Sequence, residues 1–262
     1  MLTTLFFHIR SSIATIFFGF VHLFACFFSK AARRRSAQLW SIISNPFLAN
    51  SVEMSQLLKN DISIKLGPVK SDPHNVSEYE LLCLCALLRS CSAETVFEIG
   101  TYDGRTTRSL AMNLPSDGRI YTLNLPPGIH VKGDGVCDID SRLNSEVQSG
   151  EKFIGTTEES KIQQLYGDSA QFDFSSYVGQ MDFVFIDGSH TYSYVLKDTE
   201  TALALVKPSG GWVVWHDAPL YGVAPALKAK IRDLGWPLVH IDGTTLMVGY
   251  FVNGEFRTIP QS

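Results

Sequence analysis

The chain has 262 residues, of which 45% are hydrophobic and 18% are charged. This length is enough for one large α/β domain, alone or with an appendage. The formal net charge of -4 excludes a general electrostatic attraction to nucleic acid, so we expect no nucleic-acid partner.

The first 35 residues combine basic side chains with a long apolar run. They contain Arg10, Lys30 and Arg33–Arg35 and no acidic residue. Residues 11–28 carry no formal charge and would span about 27 Å as a helix, close to the thickness of a bilayer's hydrocarbon core. Basic residues follow this run, so the positive-inside tendency predicts an anchor that crosses or dips into the membrane, with the body of the chain in the cytoplasm. A cleaved signal sequence and a helix packed on protein are the alternatives.

Residues 36–76 read as a linker region with one short helix at Ala37–Ile43. A different pattern begins at Ser77, which is followed three residues later by Glu80. This is the spacing of a capping box, and it predicts a helix that runs to about Arg89. The expected regions are therefore an anchor-like segment at 1–35, the linker at 36–76 and the main domain at 77–262.

After this helix, apolar runs that suit strands alternate with helical patterns. The predicted strands are Thr95–Ile99, Arg119–Leu125, Ile162–Tyr166, Met181–Ile186, Trp212–Trp215, Leu238–Ile241 and Thr245–Val252, and the predicted helices are Thr106–Asn113, Tyr192–Val206 and Val223–Leu234. Alternation of this kind predicts an α/β, Rossmann-like, doubly wound sheet of seven strands with helices on both faces. The last two strands are too close together for a crossover helix, so one strand near the C-terminus should be antiparallel. The role of a long polar excursion at residues 128–160 stays open.

The stretch FEIGTYDGRTT, at the end of the first of these strands, carries two glycines four residues apart. Gly100 would let the chain turn sharply after the strand. Gly104 would let the backbone approach a ligand and let the next helix approach the sheet. The spacing is not the G-x-G-x-x-G of dinucleotide-binding proteins, so nothing here is fitted to a pyrophosphate.

Polar side chains also follow each of the later strands. They are Asn124 after the second strand, Asp168 and Ser169 after the third, Asp187 and His190 after the fourth, and His216 and Asp217 after the fifth. In a doubly wound sheet these strand ends lie along one edge, where ligands bind. Five consecutive strand ends with polar groups predict an active site at that edge.

The pattern from about Ser77 to Val252 resembles that of the class I S-adenosylmethionine-dependent methyltransferases. The motifs FEIGTYDGRTT, LYGDS and DFVFIDGSHTYSYVLKDTETALALVKPSGGWVVWHDA carry the resemblance, which is closest to O-methyltransferases of small molecules and sugars. It implies S-adenosylmethionine as cofactor and, as acceptor, a hydroxyl of a small molecule or glycoside.

The resemblance also implies roles for individual residues. The cofactor would be bound by Glu98, Gly100, Thr101 and Gly104 at its methionine part, by Asn124 at the ribose, by Asp168 and Ser169 at the adenine, and by Asp187 at the methyl sulfonium. Asn124 stands where an acid usually holds the ribose hydroxyls. The predicted catalytic residues are His190, as general base for the acceptor's proton, and Asp187.

A divalent metal is the other means of activating an acceptor hydroxyl. By the same resemblance its ligands would be Asp187, His216 and Asp217, but His216 replaces an acid, so metal dependence stays open. Two other functions are also considered. One is a nicotinamide-dependent oxidoreductase on a similar sheet, and the other is a non-catalytic cofactor-binding protein held at a membrane. The sequence is compatible with a homo-oligomer.

Overall fold

The computed structural model describes residues 49–58, 60–67, 74–129, 147–220 and 222–259. The apolar run at 11–28, the helix expected at Ala37–Ile43 and most of the excursion at 128–160 lie outside these residues. Within the described residues, no helix is both long and apolar enough to cross a membrane.

Strands and helices follow one another in nearly the predicted order. The strands are β1 (Asn50–Val52), β2 (Thr95–Ile99), β3 (Arg119–Asn124), β4 (Ile162–Tyr166), β5 (Phe183–Ile186), β6 (Gly211–Trp215), β7 (Val239–Ile241), β8 (Met247–Val252) and β9 (Glu255–Arg257). The helices are α1 (Met54–Leu57), α2 (Glu78–Ser90), α3 (Arg105–Asn113), α4 (Tyr192–Leu205) and α5 (Val223–Leu234), with short 3-10 helices at Thr157–Lys161 and Ser175–Tyr177. Every helix and strand predicted from Ser77 onward is present within two residues of its expected bounds.

The capping box at the start of α2 is confirmed. Ser77 Oγ accepts a hydrogen bond from the backbone N–H of Glu80 at 3.3 Å, and the backbone N–H of Ser77 donates to Glu80 Oε2 at 3.0 Å. The two residues therefore satisfy each other's exposed backbone donors, which fixes the start of the helix and the direction of the Glu80 side chain.

The strands form one sheet in the order β1-β7-β8-β6-β5-β2-β3-β4, with β9 paired to β8. The described residues thus contain nine strands, two more than predicted. The two strands that were not predicted, β1 and β9, are each only three residues long. Strand β8 is the reversed one, since it pairs antiparallel with β6, β7 and β9. The mixed, mostly parallel α/β sheet with a reversed strand near the C-terminus is confirmed.

The register of the central strands brings their carboxyl ends to one level. In the parallel pairs, Ile99 of β2 lies opposite Ile186 of β5, and Ile186 lies opposite Trp215 of β6. The residues that come next along the chain must therefore emerge side by side. This register is what places the predicted site residues next to one another.

Apolar side chains cover both faces of the sheet. On one face, α2 and α3 pack against alternate strand residues such as Val96, while on the other α4 and α5 pack against residues such as Phe97. Both of these side chains are 0% exposed. Full burial of an apolar side chain of this size contributes about 1.5–3 kcal/mol to the free energy of unfolding. The two layers hold the strands rigidly and leave the strand ends for chemistry.

Part of the region predicted as a linker is joined to the sheet. Strand β1 pairs in parallel with β7, and Ser51 Oγ lies 2.9 Å from Nδ1 of His240. Further on, the backbone N–H of Lys65 donates to Oδ1 of Asn113 at 2.9 Å, and Nδ2 of Asn113 donates to the Lys65 carbonyl at 2.7 Å. The division of the chain at residues 35 and 76 stays a prediction, but the described residues before Ser77 contact β7 and α3.

Candidate active site

Gly100 brings the ends of β2 and β5 into contact. Its φ is +100°, and a Cβ atom at this position would lie 2.1 Å from the carbonyl oxygen of Asp187. The backbone N–H of Asp187 donates to the carbonyl of Ile99 at 2.8 Å. The turn after β2 and the turn after β5 are therefore packed together, and only glycine fits at this point.

The space beside Gly104 is filled by the protein itself. Gly104 has a φ of +84°, and a Cβ there would lie 2.6 Å from Cδ1 of Phe153 and 2.8 Å from Cα of Gly150. The backbone N–H of Gly150 donates to the carbonyl of Tyr102 at 3.0 Å. The glycine thus lets a neighbouring chain segment approach the turn, where the sequence pattern suggested a ligand. Its contact with a cofactor stays a prediction.

The carboxyl group of Glu98 lies buried at the end of β2, with the residue 1% exposed. Its Oε2 accepts hydrogen bonds from the hydroxyls of Thr107 and Thr122, the second at 2.6 Å. Its Oε1 is buried and has no hydrogen-bond partner among the described residues. Burial raises the pKa of Glu98 to about 8, the two hydrogen bonds oppose this rise, and the negative charges of Asp187 and Asp103 add to it.

Hydroxyl and amide groups continue from Glu98 along the edge of the sheet. Thr101 Oγ1 lies 2.7 Å from Thr122 Oγ1, and Nε2 of Gln164 donates to Thr101 Oγ1 at 3.1 Å. The backbone N–H of Thr101 donates to Oδ1 of Asn124 at 3.4 Å, which is long for a hydrogen bond. Thr101 and Asn124, both predicted to bind the cofactor, therefore contact each other and connect the ends of β2 and β3.

Asp168 and Ser169, the predicted adenine contacts, lie in one cluster with Tyr194 and Asp198 of α4. Burial and a hydrogen bond with Asp168 raise the pKa of Tyr194 to about 12. Asp198 is fully buried, and burial raises its pKa to about 7, with the negative charge of Asp168 adding to the rise. Asp168 and Ser169 follow β4, whereas Tyr194 and Asp198 lie on α4, the helix that follows β5.

The predicted chemical groups after β5 and β6 converge. Nδ1 of His216 lies 2.9 Å from Oδ1 of Asp187, and Nε2 of His190 lies 3.0 Å from Oδ2 of Asp217. Nδ1 of His216 is also 3.6 Å from Oδ2 of Asp217. Asp217 has a φ of +51°, a left-handed conformation that is uncommon outside glycine. Backbone strain of this kind often occurs at functional sites.

A fifth charged group, Glu80 of α2, belongs to this cluster and was not predicted. Its Oε2 lies 3.4 Å from Nε2 of His216, and its Oε1 accepts from the backbone N–H and the hydroxyl of Thr245 at 2.7 Å each. In the sequence, Glu80 is already explained as the capping partner of Ser77, so no local signal points to a second role. Only the packing of α2 on the sheet brings it to His216.

The contacts within the cluster shift the pKa of each member. Burial lowers the pKa of His216, but the charges of Asp187 and Asp217 outweigh burial and raise that pKa well above its ordinary value. Burial also works against ionisation of Asp217, whose pKa is nevertheless lowered by His216 and His190. Burial opposes ionisation of Glu80 too, and hydrogen bonds from His216 and from the backbone hold the pKa of Glu80 well below its usual range. The imidazole of His216 is therefore favoured as a cation among carboxylates.

The potential metal ligands that converge differ from the predicted set. One ring nitrogen each of His190 and His216 and one carboxylate oxygen of Asp187 lie within 4.8 Å of one another. Asp217, the third predicted ligand, contacts Nε2 of His190. Two imidazoles with one carboxylate suit a nitrogen-tolerant divalent ion of the first transition row better than Mg²⁺. The set of Asp187, His216 and Asp217 stays a prediction.

Residues 97–218 match a family model described as a methyltransferase domain. The matched segment includes every polar strand end described above, from Glu98 to Asp217. No curated protein sequence gives a match to the chain.

The fold is shared with many solved structures, of which two serve as examples. One is the O-methyltransferase TomG from Streptomyces achromogenes, involved in tomaymycin synthesis and solved in complex with SAM. It is similar with a TM-score of 0.51 and 19% identity, over 71% of this chain and 92% of its own. The other is a cofactor-bound protein from MTB, with a TM-score of 0.50 and 18% identity, over 71% of this chain and 85% of its own.

The sheet order, the reversed β8 and the family match over the strand-end motifs agree with one another. They confirm the fold and the resemblance seen in the sequence, and they leave the nicotinamide-dependent oxidoreductase without support. The described part of the chain thus has the fold of class I S-adenosylmethionine-dependent methyltransferases, and its residues 97–218 match the methyltransferase-domain family.

Proposed function

We propose that the chain transfers the methyl group of S-adenosylmethionine to a hydroxyl oxygen of a small molecule or glycoside. The observation that carries the proposal is the contact between the turn at Gly100 and the turn that begins at Asp187, with His190 and Asp217 paired beside it. A cofactor turn and a candidate base thus lie on the same edge of the sheet. The similar structure from Streptomyces achromogenes is an O-methyltransferase in complex with SAM, which supports an oxygen acceptor.

The residues at the end of β2 fit the cationic part of this cofactor. Oε1 of Glu98 is a buried oxygen with no hydrogen-bond partner among the described residues, and Asp187 and Asp103 add negative charge nearby. Asn124 would contact the ribose hydroxyls, and the cluster of Asp168 and Ser169 would contact the adenine. When bound, S-adenosylmethionine supplies a methyl group on a sulfonium, which is already strongly electrophilic.

The protein's own part is to place the acceptor oxygen and remove its proton. Asp217 contacts Nε2 of His190 at 3.0 Å, so this carboxylate orients the ring that would take the proton. A base held by a carboxylate in this way keeps one tautomer and one ring orientation. Asp187, which contacts both the Gly100 turn and His216, is the group that would face the methyl sulfonium.

A divalent ion would use some of the same atoms, so it competes with this mechanism. Asp187, His190 and His216 are the residues that would hold the ion, and the ion would lower the pKa of the acceptor hydroxyl. Ligation by His190 would remove it as a base. We favour the base because Asp217 holds His190 at 3.0 Å, which gives this imidazole a partner that does not require a metal. Full activity after treatment with a chelator is expected, and activity restored only by a divalent ion would favour the metal.

The experiment is methyl transfer from labelled S-adenosylmethionine into a set of hydroxylated small molecules and glycosides. His190→Gln should lower product formation by about 10²–10⁴-fold, the usual contribution of a general base. Its affinity for S-adenosylhomocysteine, measured by calorimetry, should not change. Product formation that is insensitive to this substitution would remove His190 from the mechanism. Cofactor binding without transfer to any acceptor would favour a non-catalytic protein.

We also propose that residues 11–28 attach the enzyme to a membrane, with the catalytic domain at 77–262 on the cytoplasmic side. The support is the uncharged apolar run and the basic residues that follow it. The full-length chain should sediment with membranes after a high-salt wash, and Phe18→Glu with Leu23→Glu should release it. Thr4→Glu, which lies outside the run, is the matched control and should stay in the membrane fraction.

A further inference from the structure

Glu80 stands apart from the other groups of the site in its position along the chain. It lies on α2, before the segment at 97–218 that matches the methyltransferase model. Its side chain is 7% exposed, although it sits in the first turn of a helix, where a capping glutamate is normally in contact with water. The capping role needs only one oxygen, the Oε2 that accepts from the backbone of Ser77.

Burial of a carboxylate costs free energy unless its oxygens are fully paired. The second role of Oε2 is its 3.4 Å contact with Nε2 of His216. Since Nδ1 of that ring lies 2.9 Å from Oδ1 of Asp187, the imidazole lies between the two carboxylates and contacts both. A ring held at both nitrogens cannot rotate without losing one of the contacts. The direction of Asp187 therefore depends on Glu80 through His216.

The other oxygen of Glu80, Oε1, is connected through Thr245 to Asp217 and His190. Oε1 accepts both donors of Thr245, in the turn between β7 and β8. The hydroxyl of Thr245 in turn accepts from the backbone N–H of Asp217 at 3.2 Å. Asp217 carries the strained φ of +51° and holds His190. The carboxylate of Glu80 thus contacts both His216, which lies against Asp187, and Thr245, which lies against Asp217.

We propose that Glu80 is a positioning residue for methyl transfer, which orients Asp187 through His216 and orients His190 through Thr245 and Asp217. This rests on the proposed function of the same site. Glu80 contacts neither the cofactor turn nor His190 directly in the described residues. It acts by fixing the groups that do, so its loss should lower the rate of transfer, while the affinity for S-adenosylhomocysteine, which lacks the sulfonium charge that Asp187 would face, stays the same.

Glu80→Gln tests this, with Ser77→Ala as the matched control. Both substitutions weaken the same capping box, since Ser77 Oγ accepts from the backbone N–H of Glu80. Only Glu80→Gln replaces the carboxylate that faces His216 and Thr245. Melting temperatures measure the loss of stability that the two variants share. Calorimetry with S-adenosylhomocysteine tests whether both variants are folded. Each should bind this ligand within about 2-fold of the parent, because neither residue is among the predicted cofactor contacts.

The expected result has two parts. In Glu80→Gln, kcat falls about 10²-fold, as for a small misplacement of reacting groups, with an acceptor taken from the hydroxyl set. The ring ¹⁵N resonances of His216 shift in the same variant, with or without S-adenosylhomocysteine. In Ser77→Ala, kcat and the ring resonances stay those of the parent.

A loss of kcat that is equal in the two variants would overturn the proposal, because helix stability would then explain it. Unchanged ring resonances of His216 in Glu80→Gln would overturn it as well. If the parent protein transfers no methyl group to any acceptor, the proposed function fails instead. The ring resonances then decide alone whether Glu80 holds His216.

Discussion

Nε2 of His190 lies 3.0 Å from Oδ2 of Asp217, so a histidine from the loop after β5 is held by a carboxylate from the loop after β6. The two residues are far apart in the chain, and the parallel pairing of β5 with β6 brings them together. The contact gives Asp217 a role that does not require a metal.

Asp217→Asn should lower kcat by about 10²-fold, because the amide holds the imidazole of His190 less strongly and can favour the wrong tautomer. Asparagine is the appropriate substitution, since it tolerates the left-handed φ of +51° at this position. Steady-state rates with the accepted substrate measure the effect, and the dissociation constant of S-adenosylhomocysteine should be unchanged. Full activity in this variant would mean that His190 needs no partner.

Gly100→Ala should strongly destabilise the domain, because the new Cβ would lie 2.1 Å from the carbonyl oxygen of Asp187. We expect a loss of about 3 kcal/mol or more in the free energy of unfolding. Gly235→Ala is the matched control. It also has a positive φ, +65°, but no atom lies within 4 Å of its Cβ, so about 1 kcal/mol is expected. Urea denaturation of both variants measures the difference, and equal losses would contradict the close approach of the two turns.

The buried carboxyl of Glu98 should make stability depend on pH. Its pKa is raised to about 8 in the folded protein from an ordinary value of 4.5, so between these values the folded state binds more protons than the unfolded chain. The contribution of the Glu98 carboxyl to the free energy of unfolding is therefore fully present below about pH 4.5 and is lost as the pH rises through 8. Glu98→Gln should remove this part of the slope, as measured by urea denaturation from pH 5 to pH 8. Glu200→Gln, at an exposed position, should leave the slope unchanged.

Asn124→Asp should strengthen cofactor binding, because a carboxylate would accept the ribose hydroxyls more strongly than the amide does. A decrease of about 5–10-fold in the dissociation constant of S-adenosylhomocysteine is expected, which corresponds to about 1–1.4 kcal/mol. Calorimetry measures it, and Asn124→Ala should give the opposite change. If both substitutions weaken binding equally, the amide of Asn124 serves the 3.4 Å contact with Thr101 and has no part in holding the ribose.

The fold could be predicted from Ser77 onward because its signals are local. Apolar runs such as that of Phe183–Ile186 mark buried strands, and the pair of Ser77 and Glu80 marks a helix start. Strand β1 could not be predicted in this way. It has three residues, of which only Val52 is buried, and it forms only because β7 offers a free edge.

The convergence of the candidate site followed from topology, since residues after adjacent parallel strands must meet. That reasoning found Asp187, His190, His216 and Asp217. It missed Glu80, because the local capping pattern accounts for that residue and its contact with His216 depends on helix packing. It also missed the approach of Phe153 to Gly104, a long-range contact that no spacing encodes, while the contact of Gly104 with a cofactor stays a prediction.

The pairing of β1 with β7 sets an order of events during synthesis. Ser51 and His240, which contact each other across these strands, are 189 positions apart. At about 5–20 residues per second, a ribosome needs ~10–40 s to make the intervening chain. During that time β1 has emerged without its partner, so this edge of the sheet can close only after all the strands between β1 and β7 have been made.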